Sequence, residues 1–263
     1  MKNISFHPKL AAFIDIIANL AMFWGLFRLH HWQTLLVWFL IRTVIWIFFI
    51  RLVYYPKELS RLRHFISLAF FNIGVLFSLI FMEWGQALTL TALIFIIFSA
   101  VSFWLLPTRS EPGAIFYVIK PYRRWLFLMD VFGLSLLWSS LYAGSSFQLI
   151  NFNYFWLGLI AVSFLTALIS YWWWKEYWLE NSDRLWWSAI IFFFIFLELS
   201  FVLWLWPLGF LVNGLILAWF WYVLWLMFRF NLSKEGINWR KQNIFLIINL
   251  ILFIGFLFLV KWK

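Results

Sequence analysis

Two thirds of the 263 residues are hydrophobic (66%) and only 11% are charged, against roughly 45–50% and 25% in a soluble domain. No water-soluble core of this length can hide that surplus, so lipid must cover much of it. A formal net charge of +10 would point to nucleic acid in a soluble protein. Here the bases cluster between apolar segments, the pattern that orients a membrane protein, and nucleic acid is set aside as a partner. The absence of cysteine removes disulfides, thiolate nucleophiles and Cys-ligated metals.

In chain order, Met1–Leu10 carries two lysines. The first apolar run then continues to Phe27 without a small-residue cleavage pattern, so a retained first helix is expected. Nine apolar segments follow one another: Ala11–Phe27, Gln33–Val53, Phe65–Met82, Ala87–Leu106, Trp125–Ala143, Phe152–Trp174, Leu185–Trp206, Leu208–Phe228 and Asn243–Val260. Each is near the ~17–25 residues that a helix needs to cross the hydrocarbon, the first and last at the short end. The expected fold is an all-α polytopic membrane helix bundle of about nine spans, or eight if one terminal segment fails to cross. It forms a single transmembrane domain over residues 1–263, and no loop is long enough to fold as a soluble domain. A transmembrane barrel is excluded, because its strands would alternate polar and apolar residues. There is no internal repeat and no inverted pair of broken helices.

Of the twenty Lys and Arg, sixteen fall on one side of this topology, while Arg28, Lys261 and Lys263 fall on the other and Arg42 lies inside a helix. That asymmetry predicts a cytoplasmic N-terminus and, with nine spans, an external C-terminus. The longest inner connection, Pro107–Arg124, holds Pro107, Pro112, Gly113 and Pro121 and is read as a loop ending in the run Pro121-Tyr122-Arg123-Arg124-Trp125. Trp206-Pro207-Leu208-Gly209 is read as the turn between the seventh and eighth spans.

Between Leu185 and Phe228 the single formal charge is Glu198. The run Glu198-Leu-Ser-Phe-Val-Leu-Trp-Leu-Trp-Pro207, followed by Gly214 and Tyr222, resembles the C-terminal half of an uncharacterised bacterial multi-pass membrane family, a domain of unknown function. The resemblance implies an inner-membrane protein and carries over no activity.

The intramembrane ionisable residues are Asp15, Arg42, Asp130 and Glu198. Such residues mark ion paths or structural pairs. Arg42 lies about ten residues, or ~15 Å, from the outer end of its helix, and Asp15 about twelve, or ~18 Å, from that of the preceding one. Consecutive helices usually pack side by side, so Asp15–Arg42 is the expected salt bridge, with Glu198 as the alternative partner of Arg42. Left without a base, Glu198 should be protonated and hydrogen-bonded to Asn213 or Ser200. Asp130, close to Arg123 and Arg124, is expected at the inner interface. Asn19, Asn72 and Asn249 are expected as interhelical hydrogen-bond links, or as the lining of a cytoplasmic cavity if they converge with Asp15 and Asp130.

Histidines 7, 30, 31 and 64 lack companion carboxylates at helical spacing, so no metal site is expected. No phosphate loop, nucleophile elbow or zinc-protease motif is present, and no catalytic residue or cofactor is assigned. Glu83 is the one acid of the outer face, and Glu176, Glu180 and Asp183 are read as a solvated helix end. The functional expectation is a non-enzymatic scaffold or assembly partner, contacting the lipid bilayer and another membrane protein. A transporter of a small solute or lipid-like molecule using Glu198 and Arg42 is the alternative, and an enzyme on a lipid-linked substrate the third. The orientation is testable by replacing Ser110 with cysteine. A membrane-impermeant reagent should label it only after cells are opened, and labelling of intact cells would reverse the topology.

Overall fold

The computed structural model describes residues 6–29, 32–53, 55, 59–81, 85–107, 115–177, 182–233 and 236–260. Among them are helices α1 (Pro8–Leu29), α2 (Trp32–Leu52), α3 (Arg61–Phe81), α4 (Gly85–Trp104), α5 (Ile115–Ser146), α6 (Phe152–Glu176), α7 (Ser182–Trp204), α8 (Phe210–Leu232) and α9 (Trp239–Leu259). Seven are long and apolar enough to cross a membrane, and the apolar part of α4, Leu88–Trp104, is shorter. The 21 residues of α3, one of these seven, rise about 31 Å, close to the thickness of the hydrocarbon. The chain is a polytopic helix bundle.

The element that departs from expectation is α5. It begins at Ile115 and runs for 32 residues with Pro121 inside it, so the basic-aromatic run Pro121–Trp125 is helical. Proline removes one N–H and crowds one carbonyl a turn earlier. It therefore weakens the start of this helix without ending it.

The chain divides into two compact units, residues 1–133 and 134–263, with α5 contributing to both. In the first unit α1 packs mainly on α4, and α3 on α2 and α4. Phe95 of α4 is fully buried and meets the rings of Phe23, Trp38, Trp46 and Phe71 at centroid distances of 5.7, 5.3, 6.0 and 5.5 Å. Against α5, α3 makes a backbone contact: a Cβ added at Gly74 would lie 2.5 Å from the carbonyl oxygen of Gly133. In lipid, hydrophobicity does not drive one helix onto another, and small residues that let backbones approach take over that role.

The second unit repeats that device. A Cβ at Gly214 of α8 would lie 2.6 Å from the carbonyl oxygen of Ser135 on α5 and 2.7 Å from the nitrogen of Ser139. Indole N–H groups tie the remaining helices: Trp221 donates to Ser170 Oγ (2.7 Å) and Trp174 to the carbonyl of Trp225 (3.3 Å). The Tyr142 hydroxyl of α5 donates to the carbonyl of Ser200 on α7 (2.7 Å). Arg229 covers the ring of Tyr177 at 3.7 Å, joining the end of α8 to the end of α6. The turn between α7 and α8 carries a Leu208 N–H to Trp206 carbonyl bond of 2.8 Å. On α9, none of Gln242–Leu259 is buried, and it touches α8 through Trp219 and Phe253.

Enlarging either close-approach glycine must push two backbones apart. Gly74→Leu and Gly214→Leu should each cost about 1–3 kcal/mol, read as a lowered Tm in detergent. Gly255→Leu, at a position with nothing within 4 Å of an added Cβ, should leave Tm unchanged.

Candidate functional site

The polar centre of the first unit is Asp15. Four donors from three helices converge on its carboxylate. Arg42 Nη2 (2.5 Å) and Trp46 Nε1 (3.0 Å) donate to Oδ1, and Ser99 Oγ (2.7 Å) and Asn19 Nδ2 (3.1 Å) donate to Oδ2. Asn19 Nδ2 also donates to Ser99 Oγ at 3.0 Å, linking α1 to α4. Asp15 and Arg42 are both fully buried, so the ion pair expected from depth along the helices is present. The guanidinium also covers the Trp46 ring at 4.5 Å. Two carboxylate oxygens offer about four acceptor positions, and all are used.

A second chain of polar groups runs from this centre towards the start of α3. Ser102 Oγ donates to the carbonyl of Ser99 (2.6 Å) and stands 2.9 Å from His64 Nε2. Its proton is thereby committed, so His64 must carry hydrogen on Nε2 and accept at Nδ1 from the Tyr55 hydroxyl, 2.7 Å away. Burial pushes the Tyr55 phenol well above its usual range, against the opposing pull of Arg61, and keeps it a donor. Both ring nitrogens of His64 are thus engaged in structure. Sequence reasoning singled out neither Ser99, Ser102 nor Trp46. The signal was available as hydroxyls one turn apart on an apolar helix.

Asp130 is buried in the protein, accepts from Ser67 Oγ (3.1 Å) and stands 3.8 Å from Arg63 Nη2. These contacts reach it from the start of α3, which α5 passes closely at Gly74 and Gly133. Asn249 of α9 accepts from Trp219 Nε1 of α8 (3.2 Å) and donates to the Phe245 carbonyl (2.9 Å), an interhelical link. Asn72 is fully buried and makes no hydrogen bond among the described residues.

Glu198 is the largest correction. It is exposed and bonded to neither expected partner. Asn213 Nδ2 donates instead to the Leu203 carbonyl (3.1 Å) and Ser200 Oγ to the Leu197 carbonyl (2.9 Å). Residues two apart on a helix point to opposite sides, which puts Ser200 inside and Glu198 outside. Around Glu198 the outward stripe of α7 is Trp187, Ile191, Phe194 and Val202, continued by Leu205 just past the helix end, all exposed.

A groove of about 280 Å³ opens along α1 and α2, lined by Met22, Gly25, Val37, Trp38 and Ile41 with Gln33 and Thr34 at its end. It is an apolar lipid-facing furrow and holds none of the ionisable groups. Among the described residues no three His, Asp or Glu side chains gather as a metal site. His30, His31, Glu83, Glu180 and Ser110 lie outside the described residues. No protein-family model, curated protein or solved structure matches the chain.

The two ends of the ion pair are unequally served. After Arg42→Leu, Asp15 keeps Trp46, Asn19 and Ser99 as donors. After Asp15→Leu, Arg42 keeps no acceptor among the described residues and cannot shed its proton. Asp15→Leu should therefore destabilise by about 3–5 kcal/mol and Arg42→Leu by distinctly less, measured as unfolding free energy in detergent or bicelles.

Proposed function

We propose that this protein is a non-enzymatic assembly component of a bacterial inner membrane that docks a second membrane protein along the outward stripe of α7. The observation that carries the reading is Glu198. Its carboxyl stands about 9 Å, six residues, from the end of α7, exposed on a stripe of Trp, Ile, Phe, Val and Leu side chains. A carboxyl facing hydrocarbon costs several kcal/mol unless a partner satisfies it. A transmembrane helix presenting Lys, Arg or an amide at that depth supplies the missing donor, and the flanking side chains supply the packing.

The sixteen bases on one side favour a cytoplasmic N-terminus and an external C-terminus, so Glu198 faces the outer leaflet. The transporter alternative drew on Arg42 acting with Glu198. Arg42 is paired with Asp15, and the docking reading rests on Glu198 without it.

A photocrosslinking residue at Phe194, and separately at Val202, tests the docking in living cells. Both positions should give the same discrete protein adduct. It should vanish with Glu198→Leu and persist with Glu198→Gln, which keeps hydrogen-bonding capacity. Purified Glu198→Leu should unfold within ~0.5 kcal/mol of the parent, since the exposed side chain makes no hydrogen bond or ion pair among the described residues. Lipid adducts alone from both positions would end the proposal.

A further inference from the structure

The donors and acceptors around Asp15 do not balance. Its carboxylate is saturated, whereas Arg42, with five N–H donors, meets protein acceptors through Nη2 alone. Nε and Nη1 of Arg42, Nε1 of Trp38 and Oδ1 of Asn19 meet no hydrogen-bond partner among the described residues. Arg42 and Asn19 are fully buried and Trp38 is 5% exposed. The residues that carry these atoms lie on adjoining turns around Asp15. Trp38 precedes Arg42 by one turn on α2, and Asn19 follows Asp15 by one turn on α1. The aromatic layer of Phe23, Trp38 and Phe95, with centroids 5.3–5.7 Å apart, closes the next turn. The junction of α1, α2 and α4 therefore gathers three buried N–H-bearing atoms and one buried carbonyl oxygen between the ion pair and an aromatic roof.

We propose that this junction is a binding site for ordered water inside the membrane. The ligand must accept from Arg42 and Trp38 and donate to Asn19. An anion accepts but does not donate, and it would add a net negative charge to a centre where Asp15 and Arg42 already cancel, in a medium that strongly disfavours unbalanced charge. Water is neutral and does both, and buried waters characteristically make about three such bonds to polar groups that the protein leaves unserved. The groove along the same helices, which Trp38 also lines, is apolar and suits acyl chains, so the aromatic roof separates a lipid-filled furrow from a hydrated polar core. The water gives the guanidinium hydrogen bonds beyond the one that Asp15 supplies.

X-ray radiolytic labelling of the protein in lipid nanodiscs tests this, because hydroxyl radicals form from water held beside the side chain they oxidise. Trp46, as fully buried as Trp173 and Trp221, should be oxidised several-fold faster than either, and Trp38, 5% exposed, should follow Trp46. The Asp15→Leu/Arg42→Leu double variant should lose that excess while Trp221 keeps its rate. Should the double variant not fold, Asn19→Leu, which removes the acceptor and fills the volume with hydrocarbon, should reduce it likewise. Trp38 and Trp46 labelling no faster than Trp221 would show a dry junction and overturn the proposal. A rise of Tm with chloride concentration that Arg42→Leu abolishes would replace the water by an anion and overturn it equally.

Discussion

The first unit depends on one carboxylate. Asp15 takes hydrogen bonds from α1, α2 and α4 at a depth where no bulk water competes for them. Helices in lipid gain little from burying one apolar face against another. A charge that must be satisfied inside the protein therefore dictates which faces meet. With Arg42 and Trp46 drawn to α1, the rings of Trp38 and Trp46 fall on Phe95, and Phe95 in turn meets Phe71 of α3. Ser99, bound to the carboxylate through its hydroxyl, offers its carbonyl to Ser102 and so starts the line through His64 to Tyr55. Removing the carboxylate would release the arrangement at several levels together.

The second unit holds together by other means. It relies on a backbone approach at Gly214, indole donors aimed at Ser170 and the Trp225 carbonyl, and a tyrosine reaching across from α5 to α7. Hydroxyls of Thr166, Ser170 and Ser139 fold back onto their own helices, leaving smooth faces that pack closely. Within that unit Glu198 contributes nothing to the packing it could have joined. A group that is costly in lipid and idle in the fold is a sign of use elsewhere, and for this reason the proposed docking face centres on it.

The number and placement of the helices were legible in the sequence, because hydrocarbon thickness allows few lengths and the loops collect the bases. The Asp15–Arg42 pair was legible too, since depth along consecutive helices is simple arithmetic. Which way a side chain faces was harder to read. A helix such as α7 is apolar towards lipid and towards protein alike, so no hydrophobic contrast orients it. Only the two-residue spacing of Glu198 and Ser200 could have shown that one inside implies the other outside. Two contacts of Asp130 were not legible, because Ser67 and Arg63 lie on a helix two elements earlier while sequence proximity draws attention to Arg123 and Arg124. The start of α5 was missed because prolines and bases look like a loop wherever they gather, although Pro121 fits within the helix that begins at Ile115.

The measurement that tests the account most directly is the coupling free energy between Asp15 and Arg42, taken from a double-mutant cycle to leucine by reversible unfolding in bicelles. If this pair organises the first unit, the losses of the single variants should be strongly non-additive, with the double variant more stable than Asp15→Leu alone. Additive losses, or a double variant less stable than either single one, would mean that the carboxylate and the guanidinium hold the fold independently. That result would contradict the account.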